Sequence, residues 1–152
     1  DPEITTSVIS RNIEIKSSVV ANDEKETFGL RQLLNYGHTI GHAIETAAGY
    51  GDYLHGEAVA IGMVGAAKLG QLMSITPPEV VTRLTDLLEK YSLPTHFQKI
   101  QTSDILEAMS RDKKISSGEI AWILLEKTGH ACVYRGVQKP KLLDVLHHIS
   151  TA

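Results

Sequence analysis

A single cysteine, Cys132, occurs in 152 residues. That excludes an internal disulfide and any CxxC metal site, and such sparing use of cysteine suits a reducing compartment. Basic blocks are absent as well. Lys and Arg total 15 against 18 Asp and Glu, a formal charge of −3, so a nucleic-acid-binding surface has little support. The most apolar run, residues 58–67, is too short to cross a bilayer and is followed by Lys68. No secretory signal pattern opens the chain. The expectation is a cytoplasmic protein that binds neither nucleic acid nor membrane. Also missing are G-x-G-x-x-G, G-x-x-x-x-G-K-[ST] and G-x-S-x-G, so the chain has no nucleotide-binding loop and no nucleophile elbow of its own.

What is present is globular. Hydrophobic residues make up 42% and charged ones 22%, at a length that one domain can fill. The pattern predicts a mainly α fold. Helices are expected over 9–20 (apolar Ile9, Ile13, Val19 and Val20), 30–48, 56–73, 77–91, 103–110 and 141–149. Residues 22–26 form a charged break, and Gly49 and Gly51 bracket a loop. Thr76 before Pro77, with Glu79 three residues on, reads as a capping box. Ser103 is placed to cap the next helix, and Ser116-Ser117-Gly118 reads as a turn. A short β-hairpin is predicted near 119–135, with strands at 120–125 and 131–134 around Thr128-Gly129. The expected organisation is one helical domain over 1–152. It opens Asp1-Pro2 without an initiator Met, as a piece excised from something longer would.

Three of the seven histidines fall between Tyr36 and His55. His38 and His42 are four apart in Gly37-His38-Thr39-Ile40-Gly41-His42, which on a helix puts both imidazoles on one face. Arg31, Asn35 and Glu45 extend the same helical spacing, so five polar residues form one stripe. A solvated face would account for it. Two features point elsewhere. Glycine costs about 1 kcal/mol inside a helix relative to Ala, yet Gly37 and Gly41 directly precede the two histidines. Close approach by a ligand or another element would explain them. The stripe is also rich in metal- and anion-binding groups. His55 follows a short loop, which lets the next helix pack antiparallel and turn His55 toward the pair. Two or three His with a carboxylate make up a typical catalytic zinc site. The spacing lacks the built-in base of HExxH, so it does not read as a metalloprotease. Residues alone leave the metal site and the solvated face both open. Lys113-Lys114 reads as a solvated loop, and His96, His130, His147 and His148 as unpartnered or surface positions.

The run Leu34-Asn35-Tyr36-Gly37-His38-Thr39-Ile40-Gly41-His42-Ala43-Ile44-Glu45, with Gly49-Tyr50-Gly51 and Leu54-His55-Gly56-Glu57-Ala58-Val59-Ala60-Ile61-Gly62-Met63, closely resembles the 3-dehydroquinate synthase family. Lys16 with Val19-Val20, Asp23-Glu24-Lys25-Glu26, Gly29-Leu30-Arg31, Leu93-Pro94 and Arg111-Asp112-Lys113-Lys114 with Gly118-Glu119 look like its other landmarks. The resemblance covers about residues 7–136 and is to the C-terminal, metal- and substrate-binding domain.

It implies a helical domain whose missing N-terminal partner binds NAD, in an enzyme that is a homodimer at full length. The implied activity is a carbon–oxygen lyase of the shikimate route to aromatic amino acids. Such an enzyme turns the sugar-acid phosphate 3-deoxy-D-arabino-heptulosonate 7-phosphate into 3-dehydroquinate and phosphate. The steps are oxidation by NAD, phosphate elimination, re-reduction, ring opening and aldol closure. Carried over, His38 and His55 match the two histidine ligands of zinc (or cobalt). His42 matches a proton-transfer histidine, and Arg31, Asn35, Lys16 and Lys113 match substrate-binding positions, with Lys16 and Lys113 also counted as catalytic. The third ligand, a glutamate, lies N-terminal to this segment. Glu45 is not that residue and reads as a structural helix position. The chain carries one residue more than the family pattern around Thr27-Phe28. On this reading the chain alone folds without catalysing. A related sugar-phosphate cyclase and a non-catalytic helical interaction domain remain as alternatives.

Overall fold

The computed structural model describes residues 1–25, 29–49, 51–115 and 119–151, with 112–115 by backbone alone. The segment with the additional residue at Thr27-Phe28 and the predicted turn at Ser116-Ser117-Gly118 lie outside the described residues. Two compact units are resolved, Asp1–Asn35 and Tyr36–Ala152. Among the described residues, no helix is long and apolar enough to cross a membrane.

The first unit holds α1 (Pro2–Asn22) and a 3₁₀ helix, Leu30–Asn35. Helix α1 begins seven residues before the expected start at residue 9. Asp1 caps it by accepting the Glu3 N–H at 2.9 Å, and Pro2 occupies the first turn, where its missing N–H costs nothing. Its apolar residues Ile9 and Ile13 are exposed rather than buried. Asp23, buried at 2% exposure, accepts the Arg31 N–H at 3.4 Å.

The second unit runs α2 (His38–Ala48), α3 (His55–Leu72), α4 (Pro78–Lys90), β1 (Phe97–Gln98), α5 (Thr102–Ile115), β2 (Trp122–Lys127), β3 (His130–Tyr134), α6 (Lys139–His148) and β4 (Ser150–Thr151). Strands β2 and β3 form the predicted antiparallel hairpin, Trp122 opposite Tyr134 and Leu125 opposite Ala131. The two-residue strands β1 and β4 pair in parallel, and nothing in so short a stretch announces them in sequence. Helix α3 is apolar on most faces and packs against α2, α4, α6 and β2. Its Ile61, Val64 and Leu69 join Ile40, Ile44, Phe97, Ile105, Leu124, Val145 and Ile149 in one core, all essentially buried.

Three local expectations are corrected. The helix expected over 30–48 breaks: residues 30–35 are 3₁₀, and Gly37, at φ +82°, caps α2 in a left-handed conformation. Arg31, Asn35, His38, His42 and Glu45 therefore do not lie on one continuous helical face. Thr76 is not the cap of α4. Pro77 is, because Pro78 takes the first helical position, and the buried Thr76 hydroxyl donates to the Leu125 carbonyl at 2.6 Å. Helix α5 starts at Thr102, so Ser103 lies inside its first turn, and it continues to Ile115 past the expected end at residue 110. An Arg111–Glu107 pair at i, i+4 spans that end.

Glycines set how α2 meets α3. A methyl at Gly62 would lie 2.0 Å from the Gly37 carbonyl oxygen and 2.7 Å from the Gly41 nitrogen. One at Gly41 would lie 3.0–3.1 Å from the backbone of Ala58 and Val59, and one at Gly37 would meet Met63. Each advance of four along α2 thus meets a retreat of four along α3, so the helices run antiparallel at backbone contact. Gly62→Ala is expected to lower stability toward the upper end of ~1–3 kcal/mol, since the atoms met are backbone and cannot step aside. Gly56→Ala in the same helix meets nothing within 4 Å and is expected to be neutral or stabilising by up to ~1 kcal/mol. Urea denaturation of the two variants checks this, and equal midpoints would contradict it.

Candidate metal centre

The register that seats Gly37 and Gly41 on α3 carries the histidines with it. Continuing it by one more turn brings the last part of α2 beside His55, the first residue of α3. Ring centroids of His38 and His42 lie 5.3 Å apart, of His38 and His55 5.4 Å, and of His42 and His55 5.7 Å. Each ring offers one nitrogen to a group whose atoms all lie within 4.8 Å of one another. Among the described residues it is the one such group of three or more His, Cys, Asp or Glu. His38 is partly buried, and His42 and His55 are exposed.

Two of the rings have their Nδ1 atoms engaged. His38 Nδ1 is 3.3 Å from the Tyr36 carbonyl oxygen, which can only accept. His38 is therefore protonated at Nδ1 and, when neutral, keeps its lone pair on Nε2. His55 Nδ1 lies 3.2 Å from Glu45 Oε2 and 3.3 Å from Oε1. Tyr36 is itself tied down, its hydroxyl donating to the Met63 carbonyl on α3 at 3.0 Å. Burial pushes the Tyr36 phenol pKa above its ordinary value. The start of α3 is fixed by Glu57, whose carboxylate accepts the Leu54 N–H at 2.9 Å.

The donor set suits a borderline divalent cation. Two nitrogens on one tetrahedral metal at ~2.0–2.1 Å stand about 3.3 Å apart, so small side-chain rotations bring these rings to coordinating distance. Imidazole is a preferred ligand of zinc and of the neighbouring first-row metals, and an acceptor behind the ring is the usual support for it.

The other expected site residues are distributed differently. Lys16 on α1, Arg31 and Asn35 on the 3₁₀ helix all belong to the first unit. There the Arg31 guanidinium donates to the Glu24 carbonyl at 3.4 Å. Lys113 lies near the end of α5, where the backbone alone is described; it is helical rather than in a solvated loop. His96 and His130, which the sequence leaves unpartnered, bond to Thr95 at 2.9 Å and pair with Glu126 at 3.3 Å. Sequence reasoning missed Tyr36, whose partner Met63 is remote in the chain. It gave Glu45 as a structural helix position, and it did not foresee the carboxylate's contact with His55 on the next helix.

The sequence matches the family described as 3-dehydroquinate synthase C-terminal over residues 1–115. The chain belongs to this family. It is 44% identical over 142 residues to a 3-dehydroquinate synthase of Methylacidiphilum infernorum, covering 93% of this chain and 40% of that protein. A 3-dehydroquinate synthase of Coxiella burnetii is 46% identical over 142 residues, covering 93% of this chain and 40% of that one. The chain thus spans about 40% of the length of the curated relatives it matches. A solved 2-deoxy-scyllo-inosose synthase, complexed with carbaglucose-6-phosphate, NAD+ and Co2+, superposes with a TM-score of 0.82 at 31% identity over 97% of this chain and 42% of that one. A 2-epi-5-epi-valiolone synthase from Streptomyces hygroscopicus, with NAD+ and Zn2+ bound, shares the fold at a TM-score of 0.81 and 21% identity, covering 95% of this chain and 39% of that one.

The buried Tyr36 phenol makes a pH prediction. Its folded-state pKa is raised, so the stability it contributes is complete below the ordinary phenol value of about 10 and is lost as pH climbs through the raised value. Tyr36→Phe is expected to cost ~1 kcal/mol at neutral pH through the lost bond to Met63. Above pH ~10 the variant should lose less stability than the parent. Denaturation at several alkaline pH values checks this, and parallel curves would contradict it.

Proposed function

We propose that the chain is the metal- and substrate-binding part of a 3-dehydroquinate synthase. The full-length enzyme converts 3-deoxy-D-arabino-heptulosonate 7-phosphate to 3-dehydroquinate and phosphate. The observation that carries the reading is the convergence of His38, His42 and His55 on helices α2 and α3 of a chain belonging to this family. His38 and His55 hold the metal through Nε2, the nitrogen that the Tyr36 carbonyl leaves to His38. A divalent metal held there polarises and orients substrate hydroxyls. NAD, the hydride acceptor, is bound mainly by the part of the enzyme outside this chain, which also supplies the third metal ligand, a glutamate.

The chain's own residues do the remaining work. His42, exposed beside the two ligands, moves a proton at the phosphate-bearing end of the substrate. Arg31, Lys16 and Lys113 hold carboxylate and phosphate, Arg31 with its planar fork and the lysines as point charges. Asn35 orients a substrate hydroxyl. As a cytoplasmic homodimer, the enzyme acts as a carbon–oxygen lyase of the shikimate route. A second reading, another sugar-phosphate cyclase, draws on the fold shared with 2-deoxy-scyllo-inosose synthase at 31% identity.

Phosphate release by the full-length protein, with NAD and zinc or cobalt, separates the readings. Turnover of the heptulosonate phosphate is expected, with glucose 6-phosphate inert; the reverse preference would establish the second reading. His38→Ala is expected to lower kcat/KM by more than the ~10–100-fold that loss of an outer partner of a ligand costs. Full activity in His38→Ala would overturn His38 as a metal ligand, and no turnover of either substrate together with no metal bound by the parent would favour a non-catalytic interaction domain. Chain 1–152 alone is expected to release no phosphate, because the third metal ligand and most of the NAD site lie outside it.

A further inference from the structure

We propose that Glu45 is a positioning residue for the metal centre, setting the tautomer and orientation of His55. The proposal rests on the metal reading given above for His38 and His55. Both Glu45 carboxylate oxygens lie at hydrogen-bond distance from His55 Nδ1, 3.2 and 3.3 Å. An ionised carboxylate accepts and cannot donate, so Nδ1 carries the proton and the neutral ring keeps its lone pair on Nε2. Glu45 itself lies outside the three-histidine group, so it stands behind His55 rather than among the ligand atoms.

The position follows from the helix register. Gly37 meets Met63 and Gly41 meets Val59. One more turn along α2 reaches Glu45 and one more turn back along α3 reaches His55. The carboxylate therefore arrives on a rigid element, set by the same backbone contact that brings the rings together.

His55 needs such a partner more than His38 does. The His38 ring is partly buried and is held by the carbonyl of a residue itself pinned to α3. The His55 side chain is 58% exposed, while that of Glu45 is 26% exposed. An imidazole that exposed samples both tautomers and several ring rotations unless one nitrogen is claimed. Glu45 is the less exposed partner, so it acts as the fixed reference and the histidine as the group being aimed. Its charge also makes the ring a more basic ligand, as carboxylates behind metal-bound histidines do.

The test compares Glu45→Ala, which removes acceptor and charge, with Glu45→Gln, which keeps an acceptor and loses the charge. Zinc and cobalt(II) affinities of the full-length protein are measured by chelator competition, with His55→Ala as reference. Glu45→Ala is expected to bind ~10–100-fold more weakly than the parent and Glu45→Gln to fall between, with unchanged far-UV circular dichroism and a shifted cobalt visible spectrum. Affinity of Glu45→Ala within twofold of the parent, while His55→Ala loses binding, overturns the proposal. The second readout needs no metal. Nitrogen-15 histidine spectra of the metal-free protein should show His55 as the Nδ1–H tautomer in the parent and as a mixture in Glu45→Ala. The same tautomer population in both overturns the proposal. A parent that binds no metal yet shows the tautomer change would defeat the metal reading and leave the positioning role of Glu45 supported.

Discussion

Everything at the histidine cluster depends on how closely two helices approach. At Gly62 the absence of a side chain lets the Gly37 carbonyl stand where a methyl carbon would otherwise be, 2.0 Å from the site of that missing Cβ. No larger residue fits without moving backbone, so the α2–α3 distance is set there by van der Waals contact of backbone with backbone and not by side-chain packing. The left-handed turn at Gly37 (φ +82°) delivers α2 into that contact. Helix propensity is given up at Gly41 and Gly62, about 1 kcal/mol for each. What is gained is a fixed register, and a fixed register is what three imidazoles on two helices need in order to meet.

A second layer of hydrogen bonds then turns proximity into direction. Rings with centroids 5.3–5.7 Å apart can present either nitrogen to one another. The Tyr36 carbonyl and the Glu45 carboxylate remove that freedom for His38 and His55 by claiming Nδ1 on each. Tyr36 is held in turn by Met63 on α3. The interface glycines and the acceptors behind the rings thus belong to one construction, in which α3 is the reference surface for both.

The His38–His42 pair was legible because a spacing of four on a helix has one geometric meaning, and His55 because a short loop after α2 has few ways to return. The anomaly of two glycines before two histidines was also legible, as a sign of close approach by a ligand or another element, and the element is α3. The break at Gly37 was not. Polar residues at 31 and 35 continue the helical period across it, and periodicity carries no information about a single positive φ. Thr76 misled for a related reason: Thr-Pro-Pro-Glu fits the capping box with Thr76 as cap, but Pro78 serves equally as a first helical residue, and the Thr76 hydroxyl goes instead to Leu125 on β2, a contact remote in sequence. Tyr36 and Glu45 act through partners that tertiary structure supplies, so their roles emerge only once α2 lies on α3.

The most direct test of this construction is anomalous diffraction at the zinc absorption edge from crystals of the full-length protein grown with zinc. A single peak bonded to Nε2 of both His38 and His55 is the result that the helix register and the two claimed Nδ1 atoms require. Zinc bound through Nδ1 of either ring, or no peak between them, would contradict it.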